Sequence, residues 1–330
     1  MKFAYQDWRR QWGYNRFCGG ALVWQLNDCW PGTSWSIVDY YHRKKPAYYT
    51  IKRALCPMAI GVRRTYHDWS VDHARPAKTS KYEVWISSDA RRNSATSNSH
   101  SNSKIENNRL LSATVKLRFI SISSGKDIHP PIRKERVAIV PNGTTDVLRG
   151  VIDNVKDEPH VLAATLIIDG KMVSRDTDFP QPLKYLDFSD RGVRVEMVLR
   201  SDDCRSSGDY NGDNGNSDGK GNGDDAATAH SAPAPIAVPA ESVNSCDVTE
   251  RENLFVERFV VTATKPTKGL VFEERDGVTL SDSGFDLVPG DGDDNDDDGN
   301  GNCNGNGQYI VHVRGLRASD EPLNWRYLGQ

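Results

Sequence analysis

The chain has 330 residues, and its 42 lysines and arginines nearly balance 45 aspartates and glutamates, for a formal net charge of −3. This balance gives no reason to expect nucleic acid or an anionic membrane as a partner, because both require clustered positive charge. With a mean hydropathy of −0.63 and no run of about 20 apolar residues, no membrane span is predicted. The charged start, Met1–Trp12, is unlike a secretory signal, and the six cysteines form no CxxC pair. A cytoplasmic, reduced protein is therefore expected.

Two helices and one strand are predicted in the first 57 residues. Apolar residues recur at helical spacing at Phe3, Ala4, Trp8 and Trp12. The continuous apolar run Ala21–Leu26 predicts a strand that is buried on both faces. After a long loop, a second helix is predicted with Pro46 in its first turn and Pro57 as its stop. A helix, a buried strand, a loop and a helix in this order are typical of an α/β barrel.

The rest of the chain alternates apolar and polar residues with a period of two, which predicts half-buried strands. Such runs are Met58–Tyr66, Tyr82–Ile86, Val115–Phe119, Arg136–Val140, Val161–Ile168, Val193–Leu199, Leu254–Ala263, Leu270–Glu273 and Tyr309–Val313. No long helix is predicted between them, so two β-sandwiches are expected. Three compositionally biased stretches, 91–108, 201–245 and 289–308, contain too few apolar residues to build a core and are predicted to be disordered insertions.

Two parts of the sequence resemble β-mannosidases of glycoside hydrolase family 2, especially the fungal intracellular type. Segments similar to the end of the catalytic barrel of that family are Cys18–Pro31 (CGGALVWQLNDCWP), Thr33–Ser36, Val38–Tyr40 and Lys45–Tyr49. Segments similar to its C-terminal immunoglobulin-like domain are Thr267–Glu273, Leu280–Asp286 and Pro289–Gly290.

The resemblance implies a mainly β chain in which two immunoglobulin-like β-sandwiches follow the last strand–helix unit of a (β/α)8 TIM barrel. The expected domains are 1–57, the C-terminal end of the barrel; 58–190, a carbohydrate-binding-like sandwich with insertion 91–108; and 191–330, a second sandwich with insertions 201–245 and 289–308.

The resemblance also implies retaining exo-hydrolysis of terminal non-reducing β-D-mannose residues. Such enzymes need two carboxyl groups about 5 to 5.5 Å apart, one as acid/base and one as nucleophile. The family carries these Glu residues on the fourth and seventh barrel strands, whereas this chain resembles only the seventh helix, the eighth strand and the eighth helix. Its first Glu is Glu83. The chain is therefore expected to be a C-terminal fragment without either catalytic Glu, inactive alone and without a cofactor.

Four residues are candidates for binding a β-mannoside oligosaccharide through its terminal mannose in the full-length enzyme. Trp24 is predicted at the C-terminal end of the strand, where its indole can stack on a pyranose or serve as a core residue. Asn27 and Asp28 can bind sugar hydroxyls or support the loop, and the supporting role is favoured. Trp30 is a candidate pocket wall. Asp39 is expected to support a loop rather than to act in catalysis.

No metal site is expected from the sequence. His67, Asp68, Asp72 and His73 are ligand types, but they lie on a predicted turn without a matching second pair. The alternative function is a non-catalytic β-sandwich that binds carbohydrate or protein. It requires exposed aromatic residues on a sandwich, yet Trp325 is the only Trp after residue 86. The sequence does not predict the oligomeric state.

Overall fold

The computed structural model describes residues 1–65, 78–89, 112–154, 156–200, 255–290, 303–304 and 308–330. Two α-helices, α1 (Lys2–Gly13) and α2 (Pro46–Ala54), precede the strands, and a 3-10 turn lies at Leu183–Tyr185. Both predicted helices are therefore present. None of the helices in these residues has the length and apolar character that a bilayer crossing requires.

The first sandwich is built from seven antiparallel strands. They are β1 (Met58–Arg64), β2 (Thr79–Ser88), β3 (Ser112–Ser121), β4 (Asp127–Ala138), β5 (Gly143–Asp153), β6 (His160–Ile168) and β7 (Lys171–Asp178). One sheet has the order β1-β2-β5 and the other β4-β3-β6-β7. The core between the sheets contains Val62, Val84, Leu117 and Leu166, all fully or almost fully buried. The alternation of the sequence thus places one face of each strand in this core.

The second sandwich has its own core. Its strands are β8 (Arg194–Arg200), β9 (Phe255–Thr262), β10 (Thr267–Phe272), β11 (Thr279–Leu280), β12 (Phe285–Leu287), β13 (Cys303–Asn304), β14 (Gln308–Arg314) and β15 (Trp325–Arg326). One sheet has the order β11-β14-β9-β8, with β13 also paired to β14, and the other has the order β12-β10-β15. Phe259 and Phe272 stack between the sheets with ring centroids 5.1 Å apart. The predicted mainly β architecture with two sandwiches is confirmed.

The predicted strand at Ala21–Leu26 is wrong. This run is irregular, and Leu22 is 93% exposed and Leu26 60% exposed. A strand buried on both faces needs strands on either side and layers above and below. In the described part of the chain, the nearest ladder contact is a single bridge between Asn27 and Val38. The last strand–helix unit of a TIM barrel is therefore not formed, although α2 is present.

Part of the predicted insertion 289–308 is described, and within it β13 pairs with the start of β14. At its start, the Pro289 carbonyl accepts a 2.6 Å hydrogen bond from the Arg118 guanidinium. The predicted insertions 91–108 and 201–245 lie entirely outside the described residues.

The two sheets of the first sandwich are joined along one side by side chains of β7 that bond to the backbone of β1. Ser174 Oγ accepts from the Ile60 N–H at 3.1 Å, Asp176 from Val62 at 3.0 Å and Asp178 from Arg64 at 3.1 Å. The sequence separation is 114 in each pair, so β1 and β7 run parallel across this seam. We call it the β1–β7 seam. It satisfies edge N–H groups that would otherwise lack partners.

A largely buried carboxylate, with 12% of its side chain exposed, joins the N-terminal segment to both sandwiches. Asp286 on β12 accepts from Lys268 Nζ at 2.7 Å, from Gly269 N–H at 2.9 Å and from Thr177 Oγ1 on β7 at 2.7 Å. Lys2 Nζ on α1 lies 4.0 Å from Asp286 and 2.6 Å from Asp176. Burial acts to raise the pKa of Asp286, but the Lys268 and Lys2 ammonium groups outweigh it and lower this pKa to about 2. We call this group of side chains the Asp286 junction.

A second contact between the sandwiches is made by Arg191, whose residue surface is only 2% exposed. Its Nη1 donates to the Ile122 carbonyl, just beyond β3, at 2.8 Å. Its own carbonyl accepts from the Thr264 and Lys265 N–H groups that follow β9. One buried residue thus ties the end of the first sandwich to a turn of the second.

The Asp286→Asn variant should lose stability in a pH-dependent manner. A carboxyl whose pKa falls from 3.8 to about 2 on folding stabilises the protein by about 2 to 3 kcal/mol at neutral pH. This stabilisation is complete above about pH 4 and disappears as the pH falls toward 2. Urea unfolding should therefore separate wild type and variant at pH 7 and bring them together in acid. Asp276→Asn, at an exposed carboxylate, is the control; an equal loss in both variants would contradict the assignment.

The β1–β7 seam gives a second prediction. Asp176→Ala leaves the Val62 N–H without its acceptor and removes the carboxylate that pairs with the Lys2 ammonium at 2.6 Å. Because Lys2 keeps the Thr177 carbonyl at 2.5 Å, we expect a cost of about 3 kcal/mol of unfolding free energy. Ser174→Ala removes one neutral hydrogen bond and should cost about 1 kcal/mol. Both are measured by urea unfolding at pH 7. Equal and small losses would show that the seam contributes little.

Candidate functional site

The candidate site residues lie in the segment between α1 and α2. We call residues 17–41 the aromatic loop. Backbone bonds order its second half: the Asp28 N–H donates to the Val38 carbonyl at 3.0 Å, and the Val38 N–H to the Leu26 carbonyl at 2.9 Å. Its base is fixed on α1 by the Tyr5 hydroxyl, which donates to the Leu22 carbonyl at 3.1 Å. The loop therefore has a defined backbone path without being a strand.

Asp28 holds the loop from the inside. The Lys45 ammonium donates to the Asp28 carboxylate at 3.0 Å and to Ser36 Oγ at 2.8 Å, and the Ser34 hydroxyl donates to the other Asp28 oxygen. Hydrogen bonds from Ser34 and Ser36, together with the Lys45 ammonium, hold the pKa of Asp28 below its usual range. Asp28 is only 7% exposed. These contacts are those of a residue that supports the loop.

Three tryptophans of the aromatic loop point away from the packed residues. Trp24 is 73%, Trp30 77% and Trp35 67% exposed. Asn27 is exposed as well, and its amide Nδ2 donates to the Asp28 carbonyl at 3.3 Å. The structure thus places Trp24, Asn27 and Trp30 on one ordered loop with Asp28 underneath. Indole faces and an amide on such a loop can stack on a pyranose ring and bond its hydroxyls.

Sequence reasoning did not single out Tyr40 and Tyr41 as functional candidates. Both are exposed, and their rings contact edge to face with centroids 5.2 Å apart. The Arg43 guanidinium lies 5.0 Å from the centroid of Tyr41. The two tyrosines continue the aromatic surface to the end of the loop, and the signal that could have found them is their place in an aromatic-rich segment.

Asp39 is engaged within the loop. Its two carboxylate oxygens accept from the Arg43 N–H and from Arg43 Nε, both at 2.8 Å. Burial acts to raise the pKa of Asp39, but the hydrogen bonds from Arg43 outweigh it and keep this pKa below its usual range. A carboxylate held ionised in this way is unsuited to donate a proton, which fits the expected loop role.

One carboxylate of the second sandwich reaches this region. Glu274, in the connection between β10 and β11, accepts from the Tyr49 hydroxyl of α2 at 3.5 Å. Burial raises the pKa of Glu274, and the nearby Asp39 carboxylate adds to this effect. Glu274 is 225 residues from Tyr49 in the chain, so no local sequence pattern could have predicted this neighbour.

No group of three or more His, Cys, Asp and Glu side chains is arranged to hold a metal ion within the ranges that the structure describes. The sequence cluster His67, Asp68, Asp72 and His73 lies outside those ranges. No residue set for a cofactor is evident in the aromatic loop.

Comparisons with known proteins agree with this picture. Residues 105–185 match the model of the Mannosidase Ig/CBM-like domain. The whole chain is 44% identical to Beta-mannosidase B of Aspergillus oryzae and 43% identical to that of Emericella nidulans. In each case it spans 29% of the relative's length.

Solved structures show the same fold at low sequence identity. A β-D-mannosidase from Dictyoglomus thermophilum has a TM-score of 0.54 at 16% identity, over 99% of this chain and 28% of that one. An exo-chitosanase from Amycolatopsis orientalis has a TM-score of 0.53 at 12% identity, over 99% of this chain and 32% of that one. The resemblance to β-mannosidases is therefore confirmed. The whole chain is similar to a segment that makes up less than a third of the length of these fungal relatives.

Proposed function

We propose that the chain is part of a β-mannosidase that removes terminal non-reducing β-D-mannose residues with retention. Its contribution is the aromatic loop, which presents Trp24 and Trp30 to the terminal mannose while Asp28 fixes the backbone beneath them. The observation that carries the proposal is that this loop is ordered by polar groups while its tryptophans stay exposed. Large exposed aromatic side chains without a packing role are a property of binding surfaces.

The catalytic carboxylates are proposed to come from polypeptide that the matched relatives have and this chain does not. Retaining hydrolysis needs two carboxyl groups about 5 to 5.5 Å apart, one of them protonated. Asp28 and Asp39, the carboxylates of the aromatic loop, are both held in the ionised form by neighbouring cations and hydroxyls. Neither is suited to be the acid. The exposed apolar side chains Leu22 and Leu26 offer a surface for the missing polypeptide.

The proposed domain division remains 1–57, 58–190 and 191–330. It is supported by the separate buried cores of the two sandwiches and by the small third cluster of Tyr5, Ile37, Ile51 and Ala54. The alternative, a non-catalytic binding sandwich, has weaker support, because the exposed aromatic side chains of the described residues concentrate before residue 42. Tyr185 and Phe255 are the exceptions.

The proposed function is tested by exchanging this chain for the matching segment of a full-length relative. When this chain replaces the matching segment of Aspergillus oryzae Beta-mannosidase B, the chimera should hydrolyse an aryl β-mannoside with release of β-mannose, as followed by NMR. The chain alone should give no turnover, because no suitable pair of carboxyl groups is available in its aromatic loop. The relative with the segment deleted is the control. A folded chimera without activity, or turnover by the pure chain alone, would refute the proposal.

The binding surface is tested on the chain itself. Trp24→Ala and Trp30→Ala should each weaken the binding of methyl β-D-mannopyranoside about fivefold, since ring stacking contributes about 1 kcal/mol. Saturation-transfer NMR measures this affinity. Tyr185→Ala, at an exposed aromatic residue of the 3-10 turn, is the control and should have no effect. Equal affinities in all three variants would show that the aromatic loop is not part of the binding site.

A further inference from the structure

We propose that Arg53 is a positioning residue for the aromatic loop: it fixes α2 on the second sandwich, and α2 in turn fixes Asp28. The expected effect on sugar binding rests on the proposed function. The positioning of α2 and Asp28 by Arg53 does not.

Arg53 joins the last turn of α2 to the connection between β11 and β12. Its guanidinium pairs with the Asp282 carboxylate and donates to the Ser283 carbonyl at 3.1 Å and the Gly284 carbonyl at 2.8 Å. A planar guanidinium with several donors suits three acceptors on one turn. Gly284 has a φ of +64°, and a Cβ there would lie 3.0 Å from Cβ of Pro46, so this turn also fits closely against the start of α2.

The anchor point is part of the core. Asp282 is 2% exposed and also accepts from the Tyr309 hydroxyl. The Tyr309 ring stacks on Phe285 with centroids 3.7 Å apart, and the Arg175 guanidinium of β7 lies 4.1 Å from its centroid. Arg53 is therefore tied to a residue that cannot shift without disturbing both sandwiches.

The opposite end of α2 holds the aromatic loop. Lys45 is the N-cap of the helix, and its N–H donates to the Ile37 carbonyl at 2.9 Å. Its ammonium makes the bonds to Asp28 and Ser36 described above. The helix is nine residues long, about 13 Å, and its backbone hydrogen bonds connect the turn that carries Arg53 to the N-cap Lys45. A displacement at Arg53 is thus transmitted to Asp28.

Loss of Arg53 leaves α2 folded. The guanidinium of Arg9 on α1 donates to the Ala54 carbonyl at 2.9 Å and the Pro57 carbonyl at 3.0 Å, and this attachment does not depend on the second sandwich. Ile51 and Ala54 also remain in the small core with Tyr5. Arg53 therefore sets the position of the helix and does not determine its existence.

The test is hydrogen exchange on the full chain. In Arg53→Met, peptides covering residues 25–39 should exchange about tenfold faster, while peptides of β3 keep the wild-type rate. Arg53→Lys keeps a cation for the pair with Asp282 but loses the two-pronged contact with the Ser283 and Gly284 carbonyls, so it should restore part of the protection. Lys52→Met is the matched control, because Lys52 donates a single hydrogen bond to the same turn among the described residues, to the Ser281 carbonyl at 2.8 Å, and does not reach Asp282. Unchanged loop exchange in Arg53→Met, or an equal increase in the loop and in β3, would overturn the proposal.

A second measurement separates this inference from the proposed function. Affinity for methyl β-D-mannopyranoside should fall about fivefold in Arg53→Met and recover in part in Arg53→Lys. If the wild-type chain binds no mannoside while the loop still loosens in Arg53→Met, the positioning step stands and the proposed function fails. If the sugar binds equally to both proteins, Arg53 does not position the site.

Discussion

The three parts of the chain meet at one largely buried carboxylate. Asp286 belongs to the second sandwich, Thr177 to the first and Lys2 to the N-terminal segment, and all three meet within one hydrogen-bonded group. A carboxylate without these partners would be costly in such a place, because burial disfavours the charged form. The ammonium groups reverse that preference, so the charge is stable only when the three parts are together. The Asp286 junction therefore makes the placement of α1 a property of both sandwiches.

The same logic extends to the aromatic loop. The first sandwich holds α1 through buried Arg10, which pairs with Glu83 at 2.6 Å and Asp146 at 2.9 Å, and the second holds α2 through Arg53. The loop connects two helices that are fixed on different supports. Its exposed tryptophans can remain unpacked because the loop does not rely on them for order. The sandwiches, whose described residues carry few exposed aromatic side chains, contribute to the site by positioning the loop.

Local patterns predicted part of this structure. Pro46 and Pro57 bracketed α2 correctly, and the alternation of Val115, Leu117 and Phe119 identified β3. The run Ala21–Leu26 failed because burial on both faces depends on neighbouring strands, which no local pattern supplies. β7 was not predicted because it lacks the apolar alternation of the other strands. Its inward side chains Ser174, Asp176 and Asp178 are polar and accept hydrogen bonds from the backbone of β1. Of the candidate site residues, Asn27, Asp28 and Trp30 lie on a loop as predicted, whereas Trp24 was predicted at the end of a strand that is not formed. The supports at Glu274 and Asp282 required the tertiary fold.

The β1–β7 seam also bears on how the chain folds. Its three bonds join residues 114 positions apart, and every other pair of strands in the first sandwich can form its ladder without them. Distant contacts carry a large loop-closure entropy that earlier pairings must first reduce. The seam should therefore close late, after both sheets exist, and the edge of β1 would be open to other chains during that interval. Ser174, Asp176 and Asp178 would then limit aggregation during synthesis as well as stabilise the finished fold.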